Sequence, residues 1–252
     1  MKDFDLNRFA VIADIHSNSD ALKAVLQDIS AQGIRSVVNL GDHLSGPMAA
    51  RETAELLLDH EMPSIRGNHD RWLVENKRED MISIDGAAFD QLDARHLAWL
   101  RDLQPTLWLS DDIFACHGTP SSDTAYWMEE VSPEGEVVTR SRDAVSSEAS
   151  GIKASLMLCG HTHLPRRMDL PDGRIILNPG SVGCPGYIDD TPVHHVVQTG
   201  TSAACYALVE RAKVGWTTTF RHVPYDPNRM IELAKTANHP NWESRLATGW
   251  VN

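Results

Sequence analysis

The stretch PSIRGNHDR, residues 63–71, decides how this chain reads. Its short apolar start runs into Arg66-Gly67-Asn68-His69-Asp70, the pattern of a buried strand that breaks at its C-terminal edge, where Gly67 lets the backbone turn. In α/β folds the chemistry gathers at such strand ends. Asn68 offers a neutral carbonyl oxygen to a cation, His69 titrates near neutral pH, and Asp70 can orient an imidazole or supply charge. A GNHD tetrapeptide arises by chance in about one chain in a thousand at ordinary composition. A plain polar loop is therefore disfavoured, and the remaining motifs decide.

Upstream, residues 9–13 form an apolar run ahead of Asp14 and His16. Residues 20–32 carry Leu22, Val25, Leu26 and Ile29 at helical spacing, with Gly33 as the cap. Residues 36–40 read as the next strand, ending at Gly41-Asp42, residues 51–60 as a second amphipathic helix, and Ser64-Ile65 as the start of a third strand. Right-handed crossovers then put Asp14, His16, Asp42, Asn68 and His69 on one edge of a parallel sheet.

Downstream, residues 70–76 and 90–102 read as helices covering that sheet, and residues 107–109 and 112–116 as a hairpin ending at His117. Residues 121–136 are polar around Trp127 and Met128, a functional loop by their length. Residues 154–159 are a strand ending in Gly160-His161-Thr162-His163. Residues 174–177 are another, entered by the Pro171-Asp172-Gly173 turn and leaving through Asn178-Pro179-Gly180-Ser181-Val182-Gly183. Residues 205–210 and 216–223 make an antiparallel hairpin, and residues 228–236 a closing helix. The expectation is an α/β chain with a second, largely antiparallel sheet packed on the first. No repeat or Ser/Gly linker marks a boundary, so residues 1–252 read as one domain.

Composition excludes several classes. With 42% hydrophobic and 23% charged residues, the chain is of ordinary globular make-up. No window approaches the roughly 20 apolar residues of a membrane span, and a cytoplasmic location is expected by default. Cys116, Cys159, Cys184 and Cys205 form no CxxC pair, which suits reduced thiols rather than a disulfide framework or a thiolate zinc site. A formal net charge of -12 and the lack of a basic patch argue against a nucleic-acid surface. Acidic ligands would have to be held by local cations.

Collected, the strand-end polar residues are Asp14, His16, Asp42, Asn68, His69, His117, His161 and His163. Each alone has a structural reading, as a turn or cap residue or a hydrogen-bonded histidine. Jointly they point to a metal site. Carboxylates and imidazoles without thiolates suit Mn²⁺, an Fe-containing pair or Zn²⁺, and so many candidates exceed one ion's needs. Seven of them, His69 apart, are ligand candidates, and two ions roughly 3.5–4 Å apart with a shared carboxylate would use all seven.

The order DxH, GD, GNHD, H, GHTH, over roughly residues 9–183, closely resembles the calcineurin-like metallophosphoesterase superfamily, and NPGSVG is similar to its small bacterial phosphodiesterase branch. The resemblance implies a four-layer α/β/β/α sandwich of two mixed sheets. It implies Asp14, His16 and His163 on one ion, Asn68, His117 and His161 on the other, and Asp42 bridging both. It also implies hydrolysis of a small phosphodiester by a metal-bridging hydroxide, with His69 serving the leaving oxygen or the phosphate. The alternatives are a dinucleoside-polyphosphate or other nucleotide hydrolase, a phosphomonoesterase, a nuclease, or a non-catalytic scaffold of the same fold that binds a protein partner.

Departures narrow the branch. Phosphoprotein phosphatases continue GD as GDxxDR, whereas Gly41-Asp42 here runs on as His43-Leu44-Ser45-Gly46, which disfavours protein phosphatase. Asp70 is a candidate to orient His69 if its side chain turns inward, and Arg66 either reaches the phosphate or stays salt-bridged. Gly180 to Gly183 would either hold phosphate with backbone N–H groups or form a tight turn. His194-His195 reads as a surface strand end, His43 as a neighbour of the site or a solvent-facing residue, and Trp108, Trp216 and Trp242 as core.

Overall fold

A computed structural model describes residues 4–252. The elements run β1 (Arg8–Ile12), α1 (Ser19–Ala31), β2 (Val37–Asn39), α2 (Ala50–Asp59), α3 (Asn68–Glu75), α4 (Ser83–Phe89), α5 (Ala94–Asp102), β3 (Thr106–Ser110) and β4 (Ile113–Cys116). They continue through β5 (Glu129–Val131), β6 (Val137–Thr139), α6 (Arg142–Glu148), β7 (Leu156–Leu158), β8 (Arg166–Asp169) and β9 (Ile175–Asn178). The chain ends with β10 (Gly186–Asp189), β11 (His195–Gln198), β12 (Ala204–Arg211), β13 (Trp216–Val223), α7 (Asn228–Thr236) and α8 (Trp242–Thr248).

Two mixed sheets carry the fold, one in the order β13-β12-β1-β2 and one in the order β3-β4-β7-β9-β8. In the first, β1 is parallel to β2 and antiparallel to β12; in the second, β4, β7 and β9 are parallel, flanked by antiparallel β3 and β8. The two-residue period of the strands sorts their side chains into layers. Phe9 and Val11 of β1 join Ile113 and Ala115 of β4, Leu156 and Leu158 of β7, and Ala207 and Val209 of β12 in a core between the sheets. The alternate residues Ala10 and Ile12 face outward and pack with Leu22, Val25, Ala54 and Leu57 of α1 and α2. On the far side, Phe114, Met157 and Ile176 meet Val145 of α6 and Trp127. The result is helices, sheet, sheet, helix, the expected four layers. The inner strands β1, β2, β4, β7 and β9 bury both faces, which explains their near-continuous apolar runs.

Some elements differ from the sequence reading. Ser64-Ile65 is a pair of isolated bridges, to Asn39 and Gln104, rather than a strand. The helix expected from residue 70 begins at Asn68, and residues 83–89, left unassigned, form α4. The loop at 121–136 contains β5 and runs into β6, with Trp127 and Met128 buried. Trp216 and Trp242 are core, whereas Trp108 is 46% exposed, because β3 is an edge strand of its sheet.

Candidate metal centre

The loops after β1, β2 and β7 converge at one end of the sandwich in strained backbone. Seven non-glycine residues among those described have positive φ, and five are expected ligands: Asp14 (55°), His16 (48°), Asp42 (55°), His161 (70°) and His163 (59°). Such conformations cost on the order of 1–3 kcal/mol each and persist only where the surroundings hold them. The holding contacts are visible: Asp14 N–H donates to Gly41 O (3.0 Å), and the Ile15 and His16 N–H groups both donate to Asp42 O (2.9 and 3.1 Å). Gly67 is required by packing, since a Cβ there would lie 2.2 Å from Asp42 Oδ1.

Hydrogen bonding fixes the imidazole tautomers. His16 Nδ1 lies 3.1 Å from Ser45 O, His117 Nδ1 2.7 Å from Leu40 O, and His163 Nδ1 2.6 Å from Cys184 O. His161 instead turns Nε2 to Thr124 O, at 3.0 Å. A carbonyl only accepts, so each of these nitrogens carries a proton, and in the neutral ring the opposite nitrogen keeps its lone pair. Those lone pairs point at acceptors. His16 Nε2 and His163 Nε2 stand 3.2 Å apart, and His163 Nε2 is 3.5 Å from Asp14 Oδ1. His117 Nε2 is 3.0 Å from Asn68 Oδ1 and 3.3 Å from Asp42 Oδ2. The same Asp42 oxygen is 3.7 Å from His16 Nε2, so it lies between the two groups. Ligand atoms of Asp14, His16 and His163 all fall within 4.8 Å of one another, as do those of Asp42, His117 and His161. Seven oxygen and nitrogen ligand atoms brought face to face fit cations, which would displace the protons that otherwise relieve the crowding.

The charges agree. Burial holds His16 down at about 4 and His161 at about 3, so both rings are neutral at pH 7. Burial, with some repulsion from Asp42, pushes the Asp14 carboxyl up to about 8 despite the pull of His117. Burial opposes a charge on His117 too, but Asp42 and Asp14 outweigh it and raise the ring to about 10. Asp42 stays well below the usual carboxylate range, burial being overcome by the neighbouring imidazoles. It also accepts the His69 backbone N–H (3.0 Å) at the N-terminus of α3, where the helix dipole favours an anion.

Family comparison follows from this geometry. Residues 8–202 match the calcineurin-like phosphoesterase superfamily domain. The chain belongs to that family. A crystal structure of a metallophosphoesterase from Sphaerobacter thermophilus is similar, with a TM-score of 0.75 at 25% identity over 97% of this chain and 99% of that one. A putative diadenosine tetraphosphatase shares the fold, with a TM-score of 0.51 at 15% identity over 85% of this chain and 93% of that one. An uncharacterized protein of Methanocaldococcus jannaschii is 41% identical over 78 residues, and this match spans 31% of this chain and 32% of that protein. Membership in this metal-dependent family supports phosphoester hydrolysis.

Beside the ligands, His69 lines the cavity of this calcineurin-like phosphoesterase, and its orienting partner is Asp85 of α4 rather than Asp70. His69 Nδ1 lies 2.8 Å from Asp85 Oδ1, and Ser45 Oγ donates to the same oxygen at 2.5 Å. Burial disfavours a charge on His69, yet the Asp42 charge and the Asp85 hydrogen bond hold it up at about 9. Asp70 serves the loop instead: it accepts the N–H groups of Asp42, His43 and Gly67 and lies 2.7 Å from His43 Nδ1. His43 is thus fully buried and faces no solvent.

Other expectations resolve plainly. Arg66 lies 3.8 Å from Glu75 and does not line the cavity. The N–H groups of Gly180, Val182 and Gly183 are spent on Asn178 Oδ1, Ala13 O and Asp14 O, so this segment is a turn that braces the ligand loop. His194 is exposed, but His195 is buried and meets the Tyr126 hydroxyl at 2.9 Å. Tyr126 in turn meets Tyr187 at 2.6 Å, and their rings stand edge-on to His161 and His163. Nothing in the local sequence marks Asp85, Tyr126 or Tyr187. They reach the site from separate elements.

Proposed function

We propose that this calcineurin-like phosphoesterase is a binuclear metal-dependent phosphodiesterase acting on a small phosphodiester. The observation that carries the reading is the set of four imidazoles, each pinned by one nitrogen to a backbone carbonyl, with His16, His117 and His163 turning the other toward Asp42, Asn68 or Asp14 and His161 grouped with Asp42 and His117. Asp14, His16 and His163 would hold one divalent cation and Asn68, His117 and His161 the other, with Asp42 placed to serve both. Nitrogen and oxygen donors suit Mn²⁺ or an Fe-containing pair, with Zn²⁺ also able to fill the sites. When bound, such cations supply Lewis acidity toward the phosphoryl oxygens and activate water at neutral pH.

The chain's own groups do the rest. Asp42 offsets the repulsion between neighbouring cations. His69, fixed through Nδ1 by Asp85, gives a proton from its other nitrogen to the leaving oxygen. Tyr126 and Tyr187 wall the ligand histidines and limit water. The net charge of -12 favours a small ester over a nucleic-acid polymer. Four buried free thiols suit the reducing cytoplasm.

The test is metal analysis joined to hydrolysis of a bis-aryl phosphate. Wild-type protein reconstituted with Mn²⁺ is expected to bind about two metal equivalents and turn over. Asp42→Asn should lose metal and activity together, because the shared charge is gone. Wild-type protein that binds metal and hydrolyses neither mono- nor diesters would overturn the reading.

A further inference from the structure

We propose that Arg245 is the centre of a second anion site in the catalytic cavity, one that takes a phosphate of the substrate other than the phosphate hydrolysed. The inference rests on the phosphoesterase reading above and names its substrate class: a phosphoester that carries a further phosphate group.

The cavity has a volume of about 950 Å³, far more than one phosphate fills. One end is the candidate metal centre. Trp242 and Arg245 of α8 also line the wall, together with His239 and Asn241. These residues lie outside residues 8–202, so the family match does not cover them. Arg245 is 6% exposed, and its Nε is buried without a hydrogen-bond partner. Among the described residues, no acidic side chain forms an ion pair with its guanidinium.

The other charged residues of the wall do not supply the missing anion. Arg140, the second arginine there, is satisfied by Glu148 at 2.8 Å and by the carbonyls of Tyr126 and Trp127. Glu129 is bound to Arg166, Asp189 accepts the Thr191 N–H, Asp42 faces His16 and His117, and among the described residues Glu130 makes no ion pair with Arg245. Trp242 partly compensates Arg245, its ring centroid lying 5.0 Å from the guanidinium carbon.

Magnitudes show that this is not enough. A cation–π contact is worth about 0.5–2 kcal/mol, whereas a buried uncompensated ion costs several kcal/mol even after relaxation. A fixed planar fork without a carboxylate is what a phosphate requires, since guanidinium binds it bidentately. The site is continuous with the chemistry: the guanidinium lies beside the Cys184 side chain, and Cys184 O accepts the Nδ1 proton of the candidate ligand His163. A substrate could therefore place one phosphate at the metal centre and another on Arg245.

The experiment has two arms. Calorimetric titration of metal-stripped protein with inorganic pyrophosphate should show binding that Arg245→Gln weakens by about tenfold or more and Arg245→Lys by less. In the Mn²⁺-loaded enzyme, Arg245→Gln should lose about tenfold more kcat/KM on diadenosine tetraphosphate than on a bis-aryl phosphate, mainly through KM. Unchanged pyrophosphate affinity, or equal losses on both esters, would overturn the proposal. If Arg245→Gln fails to fold, Arg245→Lys carries the same comparison, and equal losses on both esters overturn it equally. Loss of pyrophosphate binding alongside a wild type that hydrolyses no ester would keep the anion site and reject the phosphoesterase reading.

Discussion

His69, the proton donor we propose, is only as good as the group that fixes its other nitrogen, and that group is Asp85, 1% exposed and 2.8 Å from His69 Nδ1. His69→Ala is expected to lower turnover by roughly 10²–10⁴-fold at unchanged metal content, with the smaller loss on a nitrophenolate leaving group, which needs little protonation. Asp85→Asn should lower it by roughly 10–100-fold in the same leaving-group pattern. The double variant should be no slower than His69→Ala, because Asp85 acts through that ring. Additive losses in the steady-state rates would assign Asp85 a separate role. The candidate ligands that the fold gathers were legible in the sequence because acids and imidazoles followed apolar runs one after another. Asp85 was not, because it sits 16 residues from His69 in a short helix and its pairing depends on tertiary approach.

Among the elements, those with both faces buried were the readable ones. The runs in β1, β4, β7 and β9 are apolar at every position or nearly so, and α1 keeps an apolar stripe over 13 residues. The hairpins β5–β6 and β10–β11 and the helices α4, α6 and α8 are three to seven residues each, too short for periodicity to show. The start of α3 shows the same limit from the other side. Gly67 signals a turn, yet its deeper reason is that Asp42 occupies the space where a side chain would go. Gly67→Ala should therefore destabilise the fold by about 1–3 kcal/mol in urea unfolding and reduce metal content as well, since Asp42 must shift. Normal metal binding in a destabilised variant would separate the packing of α3 from the site.

At the scale of the whole molecule, we propose that residues 1–252 unfold as one unit. The C-terminal helices are tied in by Met230, Ala234, Trp242 and Leu246, which pack with Met48, Ala49 and Cys184 next to the ligand loops. The outer helix layer is bound to the first sheet by Asp28 of α1. It receives Arg221 Nε and Nη2 from β13 at 2.6 and 2.9 Å and the Tyr206 hydroxyl from β12 at 2.6 Å. The Arg221 hydrogen bonds, helped by Tyr206, hold the Asp28 carboxyl below its ordinary value of 3.8. An acid with a lowered folded-state pKa stabilises the fold above its unfolded pKa and loses that contribution as the pH falls through the folded value. Arg221→Met should thus cost about 1 kcal/mol at pH 7, as a partly exposed charged pair does. For a chain of this size that lowers Tm by about 2–4 °C. The difference between wild type and variant should shrink as the pH falls from 3.8 through the lowered folded-state value, below which Asp28 is protonated in both. Calorimetry at a series of pH values reads the effect as a shift of a single transition. A gap that stays constant into the acid range would show that Arg221 stabilises the layer contact by packing its stem rather than by its charge.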